Sequence, residues 1–487
     1  MQASTINTLK KSSMAVLALS IALTALQGCK REQGLFPEST TSISDKNIFD
    51  TPQRIEGLVN GIYKAFKGAS LYGGRYFMYQ DFRGEEFITI TANSYTVFES
   101  WNNSYSSGSN DINSLWSTAY TAINNANILI EGLANRKDVV GEEKANAYIA
   151  EAKFLRAVSY FSLVTVFGQP YTKDQGASPG LPLRLQAELD TRNNDLKRSS
   201  VSEIYAQIIQ DLDDAEKDLP ESYSNAGLNT TRAHKNTARA FKTRVFLAQN
   251  NWAAVLKEAV KIVPQTKAPF AAVTGVKSEL QPDILTLFGA NFTTTESLLS
   301  MPFSTVDSYS GQTAIAYVYF GNKEYYLNPN GILGDPQWKA DDRRRLLLAP
   351  SGGKQFLKKF AKVSPYIDYI PVIRYAEVLL NYAEAAAQSG QLPLAAELVK
   401  AVHKRSDASF AISDSQSADK QALLAIIAKE RRIELLGEGF RGFDLLRKLE
   451  PLPAKADETI QTPAVPVSAQ NYIFPPPNTE LATNKLF

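Results

Sequence analysis

Three pairs of adjacent carboxylates are the side chains whose type best suits acid–base chemistry. They are Glu85–Glu86, Asp213–Asp214 and Asp341–Asp342. Two carboxylates on either side of a glycosidic bond can cleave it, one as the acid and the other as base or nucleophile. The second pair falls on an amphipathic stretch with polar neighbours, which indicates a solvated helix face. The first pair lies among rings and arginines, so a surface glycoside hydrolase with Glu85 or Glu86 as acid or base stays open as an alternative.

Other groups with catalytic potential are few and scattered. The chain has two histidines, His234 and His403, which are far apart in the sequence. It contains neither the H-E-x-x-H pattern of zinc peptidases nor the G-x-x-x-x-G-K-[ST] loop of nucleotide-binding proteins. The sequence therefore predicts no catalytic residue, no metal ion and no cofactor.

The segment from Tyr72 to Asn103 is dense in aromatic rings, arginines, carboxylates and asparagines. Rings can cover the C–H faces of a sugar, while Asn, Asp and Arg can hold hydroxyl pairs by fork-like hydrogen bonds. In the alternative interpretation the rings only pack loops onto helices. For a single ring both interpretations remain open, although Trp101 beside Asn102 favours ligand contact. The candidate ligand-binding residues are Tyr76, Tyr79, Asp81, Arg83, Trp101, Asn102 and, as a weaker candidate further along the chain, Trp338.

Charge and composition exclude two broad classes of protein. The formal net charge is +2, from 52 Lys and Arg against 50 Asp and Glu, and no long run of one sign occurs. A nucleic acid or another polyanion usually requires a concentrated basic surface, so such a partner is not expected. With 44% hydrophobic residues, the chain is too apolar for an intrinsically disordered protein.

The N-terminus has the pattern of an exported, lipid-anchored protein. Lys10 and Lys11 precede a short apolar stretch from Met14 to Leu26, which suits a signal peptide better than a membrane span. Gly28 and then Cys29, the only cysteine, follow at once and resemble a bacterial lipobox. This pattern predicts a signal peptide over residues 1–28 and a flexible tether over 29–50, with acyl chains on Cys29 as the membrane anchor.

Helices are predicted along most of the remaining chain, because apolar side chains recur at helical spacing. Ser200 and Glu203 form a capping-box pattern that starts one of them. Two Ala-rich helix pairs joined by tight turns resemble tetratricopeptide hairpins. Predicted helices run from about Lys144 to Phe167, Asn236 to Gln249, Trp252 to Ile262, Ile373 to Ser389, Pro393 to Arg405 and Lys420 to Leu436.

One globular domain is predicted over residues 51–487. It has an N-terminal part (51–266), a loop-rich insertion (about 267–368) and a C-terminal helical part (369–487). Pieces such as Ala314–Phe320 predict strands or ordered loops within the insertion. We therefore expect a mainly α fold, in which tetratricopeptide-like helix hairpins form an α-α superhelical scaffold and a loop-rich region with a few short strands carries the ligand site.

Several strings, in this order and spacing, are similar to those of the RagB/SusD family. They are Leu115–Asn127, Ala152–Phe161 with Phe167–Pro170, Arg198–Val201, Ile373–Ala385, Glu430–Leu435, Gly439–Arg447 and Tyr472–Pro475. The resemblance implies a surface lipoprotein of the outer membrane that faces the cell exterior. It also implies that the C-terminal charged residues Glu430, Arg431, Arg432, Glu434 and Arg441 are structural, with helical spacings that allow them to pair with one another.

The same resemblance implies what the protein does. Such a lipoprotein captures an oligosaccharide or, in some members, a peptide, and leaves it chemically unchanged. It sits as a lid on a SusC-like, TonB-dependent outer-membrane barrel that imports the cargo. A non-enzymatic, glycan-binding protein is thus the main hypothesis. Peptide cargo and the surface glycoside hydrolase are the alternatives.

Overall fold

Amphipathic helices supply most of the secondary structure, as the apolar spacing predicts. The computed structural model describes residues 47–289, 293–457 and 459–487. The predicted signal peptide, Cys29 and nearly all of the tether lie outside the described residues. Residues Pro52–Phe487 group into one compact unit. Among the described helices, none combines the length and the apolar character that crossing a membrane requires.

The helices are numbered here in chain order. Their bounds are α1 Pro52–Phe66, α2 Arg75–Asp81, α3 Phe98–Trp101, α4 Asn110–Ala134, α5 Glu142–Phe167, α6 Tyr171–Asp174, α7 Val201–Asp218, α8 Leu228–Thr231, α9 Lys235–Ala248, α10 Trp252–Ala259, α11 Ile284–Gly289, α12 Tyr375–Gln388, α13 Leu392–Lys404, α14 Asp414–Ala418, α15 Lys420–Glu434, α16 Arg441–Arg447 and α17 Asn478–Thr483.

Short strands pair two by two and add no extended sheet. Their bounds are β1 Phe87–Thr89, β2 Pro179–Pro182, β3 Arg198–Ser200, β4 Ser297–Met301, β5 Tyr325–Leu327, β6 Leu348–Ser351, β7 Lys354–Leu357, β8 Ile370–Arg374, β9 Lys455–Ala456 and β10 Gln461–Thr462. The antiparallel pairs are β1 with β5, β2 with β3, β4 with β8, β6 with β7, and β9 with β10. Two of them, β1–β5 and β4–β8, join segments that are far apart in the chain.

The two predicted Ala-rich hairpins are confirmed and lie against each other. Helices α9 and α10 are joined by a three-residue turn, and so are α12 and α13. Helix α12 packs against α9, α10, α13 and α15, so the second hairpin continues the stack that the first begins. Helices α4, α5 and α7 extend this stack on its N-terminal side. The mainly helical, hairpin-based prediction therefore describes the observed fold.

Helix starts follow local sequence signals closely. The Ser200 hydroxyl accepts from Glu203 N at 3.2 Å, while Ser200 N donates to the Glu203 carboxylate at 2.7 Å. This capping box satisfies backbone groups that the first turn of α7 leaves open. Leu219 is the C-terminal cap, directly before Pro220, which cannot continue the helix.

Two local predictions were wrong. Ile373 and Arg374 belong to strand β8, because Ser297–Met301 offers a pairing partner, and the helix starts only at Tyr375. The segment Ala314–Phe320 forms no strand: a helical turn of the wide π type covers Tyr317–Gly321. Within that turn Val318 and Tyr319 are buried, so core packing decided the local conformation.

Candidate functional site

Most of the rings predicted to contact a ligand lie in the core. Trp101 is completely buried, and its indole Nε1 donates to the Phe87 carbonyl at 2.7 Å. Tyr79 is also completely buried, and Tyr76 is 6% exposed with its hydroxyl 3.0 Å from Thr165 Oγ1. No face of these three rings is open to a ligand in this conformation. They pack the loops onto the helices, which was the alternative interpretation.

The polar candidates next to these rings are buried as well. Asp81 Oδ2 accepts from Gly439 N at 2.8 Å and Oδ1 accepts from Arg441 N at 3.1 Å. Burial raises the pKa of Asp81 to about 7, although these two hydrogen bonds act in the opposite direction. Gly439 has a φ of +83°, and a Cβ there would lie 2.9 Å from the Phe77 Cα. Asp81 therefore fastens helix α2 to the glycine-rich loop before α16.

Arg83 shows no exposed surface and lies 5.1 Å above the Phe474 ring. One of its amino groups donates to the Tyr472 carbonyl. This cation thus holds the C-terminal segment against the N-terminal part and does not face solvent.

Asn102 and Trp338 complete the predicted set. Asn102 is half-buried, and its side-chain oxygen accepts from Thr462 Oγ1 at 2.6 Å. Trp338 is 2% exposed, and the Arg345 guanidinium lies 4.0 Å above its ring. Of the seven predicted residues, only Asn102 keeps appreciable exposed surface.

Glu85 and Glu86 are fixed by two arginines. Arg441 contacts Glu85 at 2.7 Å, and Arg432 contacts Glu86 at 2.6 Å and Glu85 at 2.8 Å. Burial acts to raise the pKa of Glu85, but the hydrogen bonds and charge of Arg441, together with Arg432, lower it. Burial followed by the charge of Glu85 raises the pKa of Glu86. The pair fastens α15 to the loop after α2, and the arginines occupy the carboxylates that a hydrolase would need free.

A buried network of ion pairs lies where the insertion meets the C-terminal helices. Arg374, at the end of β8, contacts Glu434 at 2.6 Å, Glu438 at 2.7 Å and Glu296 at 2.7 Å. Arg405 also contacts Glu296, at 2.6 Å. Buried charges are tolerated only when they are paired and hydrogen-bonded, and each of these has several partners.

Arginine charges dominate the electrostatics of this network at Glu434. Burial alone would raise the pKa of Glu434, but the charges of Arg405, Arg374 and Arg344 hold it well below its usual range. Arg344 further contacts Glu430 at 2.6 Å, and His403 Nδ1 shares that carboxylate. We call this set, built around Arg374, Arg405 and Glu434, the ion-pair junction.

The C-terminal charged residues are structural, as predicted, but their partners differ from the expectation. The string was predicted to pair within itself, whereas Arg431 contacts Asp444 at 3.0 Å and Arg432 contacts Glu85 and Glu86. The reason is geometric. Glu430 and Glu434 are four residues apart on α15 and have the same sign, so each needs a cation from another element.

One catalytic-looking string was missed at the sequence level. Residues Gly176–Gly180 fit the spacing G-x-S-x-G of hydrolase nucleophile elbows. Here Ser178 precedes strand β2 and donates to Asp174, instead of standing on a strand-to-helix turn. His234 lies elsewhere, completely buried at the start of α9, where burial lowers its pKa to about 4. Within the described residues, no group of His, Cys, Asp and Glu is arranged to hold a metal ion.

The insertion contributes a set of rings that remain partly open to solvent. Phe303 and Tyr309 have ring centroids 5.8 Å apart, and Tyr317 and Tyr366 lie 6.5 Å apart. All four side chains are half-buried, and a shallow cleft of about 20 Å³ runs between Phe303, Tyr309 and Tyr366. We call these four rings the ring surface. Because the cleft is shallow, they form an open surface and no closed pocket.

Helix α1 supports one side of the ring surface. Lys67 lies 4.8 Å above the Phe303 ring and Lys64 lies 5.9 Å from the centre of Tyr309. Both lysines form ion pairs with Asp307. The loop that carries Phe303 and Tyr309 is therefore held on a rigid helix.

Tyr95 lies at the edge of the same region. Its ring is 65% exposed, and Arg75 donates both to the Tyr95 carbonyl and, at 3.3 Å, to the Gln312 carbonyl. Arg75 thereby joins the loop of Tyr95 to the segment between Tyr309 and Tyr317. The sequence signal for these residues was the rise of Tyr and Thr in the insertion, but it could not show which rings stay exposed.

Comparisons with known proteins place the chain among outer-membrane binding proteins. A SusD-like family described as "Starch-binding associating with outer membrane" matches residues 37–247, and the SusD family matches residues 359–485. A curated relative, SusD-like protein P38 from Formosa agariphila, is 26% identical and is aligned over 90% of this chain and 91% of its own.

Solved structures give the same result. A SusD superfamily protein from Bacteroides fragilis is 31% identical, with a TM-score of 0.82 over 90% of this chain and 99% of its own. A SusD-like carbohydrate binding protein from Bacteroides vulgatus is 20% identical, with a TM-score of 0.72 over 90% and 97% of the two chains, and shares the fold. With matches to both ends of the chain and a nearly full-length relative above 30% identity, the chain belongs to the SusD family.

Proposed function

We propose that this protein captures an oligosaccharide at the cell surface and delivers it, unchanged, to a TonB-dependent outer-membrane barrel. Proteins of the SusD family are non-catalytic binding proteins, and the starch-binding, outer-membrane description of the N-terminal match supports a sugar as cargo. The carbohydrate-binding relative from Bacteroides vulgatus agrees with this class of cargo. The engagement of Glu85 and Glu86 by arginines further supports binding without turnover.

The ring surface is the proposed contact for the oligosaccharide, and its half-open rings are the observation that carries the proposal. A sugar chain presents C–H faces that stack on rings, so several rings side by side can hold successive units. Phe303, Tyr309, Tyr317 and Tyr366 have this arrangement, and Tyr95 extends it. Lys64 on α1 and Lys67 directly after it are already paired with Asp307, so neither flanking lysine is free for an anionic ligand. These features favour a neutral sugar over a charged peptide.

The binding experiment compares full-length protein with single variants on an array that contains both glycans and peptides. Tyr309→Ala should weaken binding of the oligosaccharide that the native protein selects by about tenfold, since one stacked ring contributes about 1–2 kcal/mol. Tyr171→Ala is the matched control, because Tyr171 is also half-buried but packs on Tyr205 away from the insertion. Selection of peptides only, or equal loss in both variants, would contradict the proposed cargo or the proposed surface.

Membrane attachment is proposed to depend on acylated Cys29. Cys29→Ala should move the protein from the outer-membrane fraction to the soluble fraction, because acyl chains supply the anchoring free energy. Native protein extracted in mild detergent should bring a TonB-dependent barrel with it. Unchanged membrane retention of the Cys29 variant would refute the anchor, and extraction without any barrel would refute the partner.

A further inference from the structure

A second cleft lies away from the insertion, between α4, the loop after β2 and the C-terminal helix α17. Its volume is about 190 Å³. The residues that matter are Trp116 and Tyr120 from α4, Arg184, Glu188 and Asn194 from the loop between β2 and β3, and Glu480 from α17. None of these residues belongs to the ring surface or to the ion-pair junction.

One wall of the cleft is aromatic. The rings of Trp116 and Tyr120 lie 5.0 Å apart at an interplanar angle of 41°. Trp116 is backed edge-on by Phe167 at 5.0 Å, which fixes its orientation. The Tyr120 hydroxyl donates to the Pro182 carbonyl at 2.8 Å, so this half-buried ring is also held in place. Trp116 is only 4% exposed, so the half-buried Tyr120 ring supplies the face that a flat, partly apolar ligand can cover.

The opposite side is polar, and its cation is already engaged. Arg184 contacts Glu188 Oε1 at 2.6 Å and Glu480 Oε1 at 3.2 Å. It also donates to the carbonyls of Asn193 at 3.2 Å and Asn194 at 2.8 Å. Arg184 therefore positions the carboxylates of Glu188 and Glu480 and offsets part of their negative charge.

What the cleft still offers is hydrogen-bond acceptors. Within the described part of the chain, Glu188 Oε2 and Asn194 Oδ1 receive no hydrogen bond, and Glu480 Oε2 receives only a long one, from Trp116 Nε1 at 3.3 Å. Three acceptors on residues that line the same cleft as the Tyr120 ring call for a ligand with several donors beside an apolar face. A pyranose ring has both, because its hydroxyls donate while its C–H groups cover a ring.

We propose that this cleft is a second binding site, specific for a single pyranose unit. At about 190 Å³ it is smaller than the roughly 300 Å³ or more of pockets that take drug-sized ligands, so it fits one sugar ring or a chain end. This inference rests on the proposed sugar-binding function, but it concerns different residues. It gives the protein two separate contacts for one polymer, and two linked contacts raise the overall affinity beyond that of either alone.

The test uses the full-length protein with D-glucose, D-galactose and D-mannose as probes in saturation-transfer NMR. At least one hexose should receive saturation from the native protein. Glu188→Gln should weaken that binding about tenfold or more, because the hydroxyl loses its hydrogen bond to a charged acceptor and gains at most a neutral one. Glu143→Gln on the exposed first turn of α5 is the matched control and should bind as the native protein does. Tyr120→Leu should also weaken binding, since it removes the ring.

Each other outcome overturns the proposal. Absence of saturation transfer to all three hexoses, or equal binding by the native protein and Glu188→Gln, shows that the cleft holds no pyranose. A cationic probe, arginine amide, that binds more tightly than every hexose shows that the acceptors select charge instead. Tyr309→Ala separates the two proposals: it should leave hexose binding at the cleft unchanged while weakening the oligosaccharide. If the oligosaccharide binds at the ring surface and no hexose binds at all, only the second site fails.

Discussion

The ion-pair junction and the ring surface show two opposite uses of side chains that look alike in a sequence. At the junction, Arg374 and Glu434 are almost completely buried, and each contacts several partners. At the ring surface, Tyr317 and Tyr366 have one ring neighbour each in the described structure and stay half-buried. Side chains that are fully paired within the protein stabilise the fold, whereas partly exposed rings with few neighbours are available to contact a ligand.

The strongest test of this difference removes one carboxylate from the junction. Glu434→Ala leaves Arg374 and Arg405 buried with fewer partners, so the free energy of unfolding should fall by about 3–5 kcal/mol. Glu397→Ala is the matched control: this half-buried glutamate pairs with Lys400 on α13, and its loss should cost less than about 1 kcal/mol. Urea unfolding followed by circular dichroism measures both. Equal losses would mean that the junction is not a stabilising feature.

A smaller but still large effect is expected at Trp101. Trp101→Ala should lower the free energy of unfolding by about 3 kcal/mol, because it opens a cavity and removes the hydrogen bond to Phe87. Tyr317→Ala, which truncates a half-buried ring, should cost less than about 1 kcal/mol. Thermal unfolding distinguishes the two. A Trp101 variant of native stability that no longer binds glycan would reverse the comparison and restore Trp101 as a contact residue.

The pH dependence of stability should differ between carboxylates that face arginine and those that face mainly backbone. The pKa of folded Asp81, at about 7, lies above the usual value near 3.9, so the charged form is disfavoured in the folded state. The stability that Asp81 contributes is therefore complete below about pH 4 and is lost as the pH rises through 7, by about 3 kcal/mol between pH 4.5 and 7.5, because one pKa unit corresponds to about 1.4 kcal/mol. Asp81→Asn should remove this loss. Unfolding curves at pH 4.5 and 7.5 for both proteins give the difference, and identical slopes would contradict the expectation.

The smallest expected effect separates the ring from its hydroxyl at the ring surface. Tyr366→Phe should change oligosaccharide affinity by less than about threefold, since the stacking face remains. Tyr366→Ala should weaken affinity by about tenfold, while the melting temperature of both variants stays close to the native value. Isothermal titration calorimetry provides the affinities. A larger loss in the Phe variant would assign the binding to the hydroxyl.

Much of the fold could be predicted from the sequence, because its signals are local. Helical spacing and the tight turns between Ala-rich segments predicted the hairpins, and the capping box at Ser200 predicted the start of α7. The start of α12 was missed because β8 pairs with a strand about seventy residues earlier, which no local pattern shows. Family strings correctly indicated that the C-terminal charges are structural, but their partners lie on other elements.

The candidate site was harder to predict, since exposure depends on the whole fold. Trp101 and Tyr309 are both aromatic residues in loop-rich stretches of the chain, yet one is completely buried and the other half-buried. Burial of Trp101 follows from strand β1, whose Phe87 pairs with Leu327 from the insertion. A contact across so many residues cannot be read from the composition of the loop.

The packing of α10 against α12 also constrains the order in which the protein can fold. These helices touch in space, but about 115 residues separate them in the chain. Closing a loop of this length costs conformational entropy before the contact forms, which makes this step of folding slow. Until α12 docks, the first hairpin lacks one of the helices that cover it, although α9 can already pack against α7.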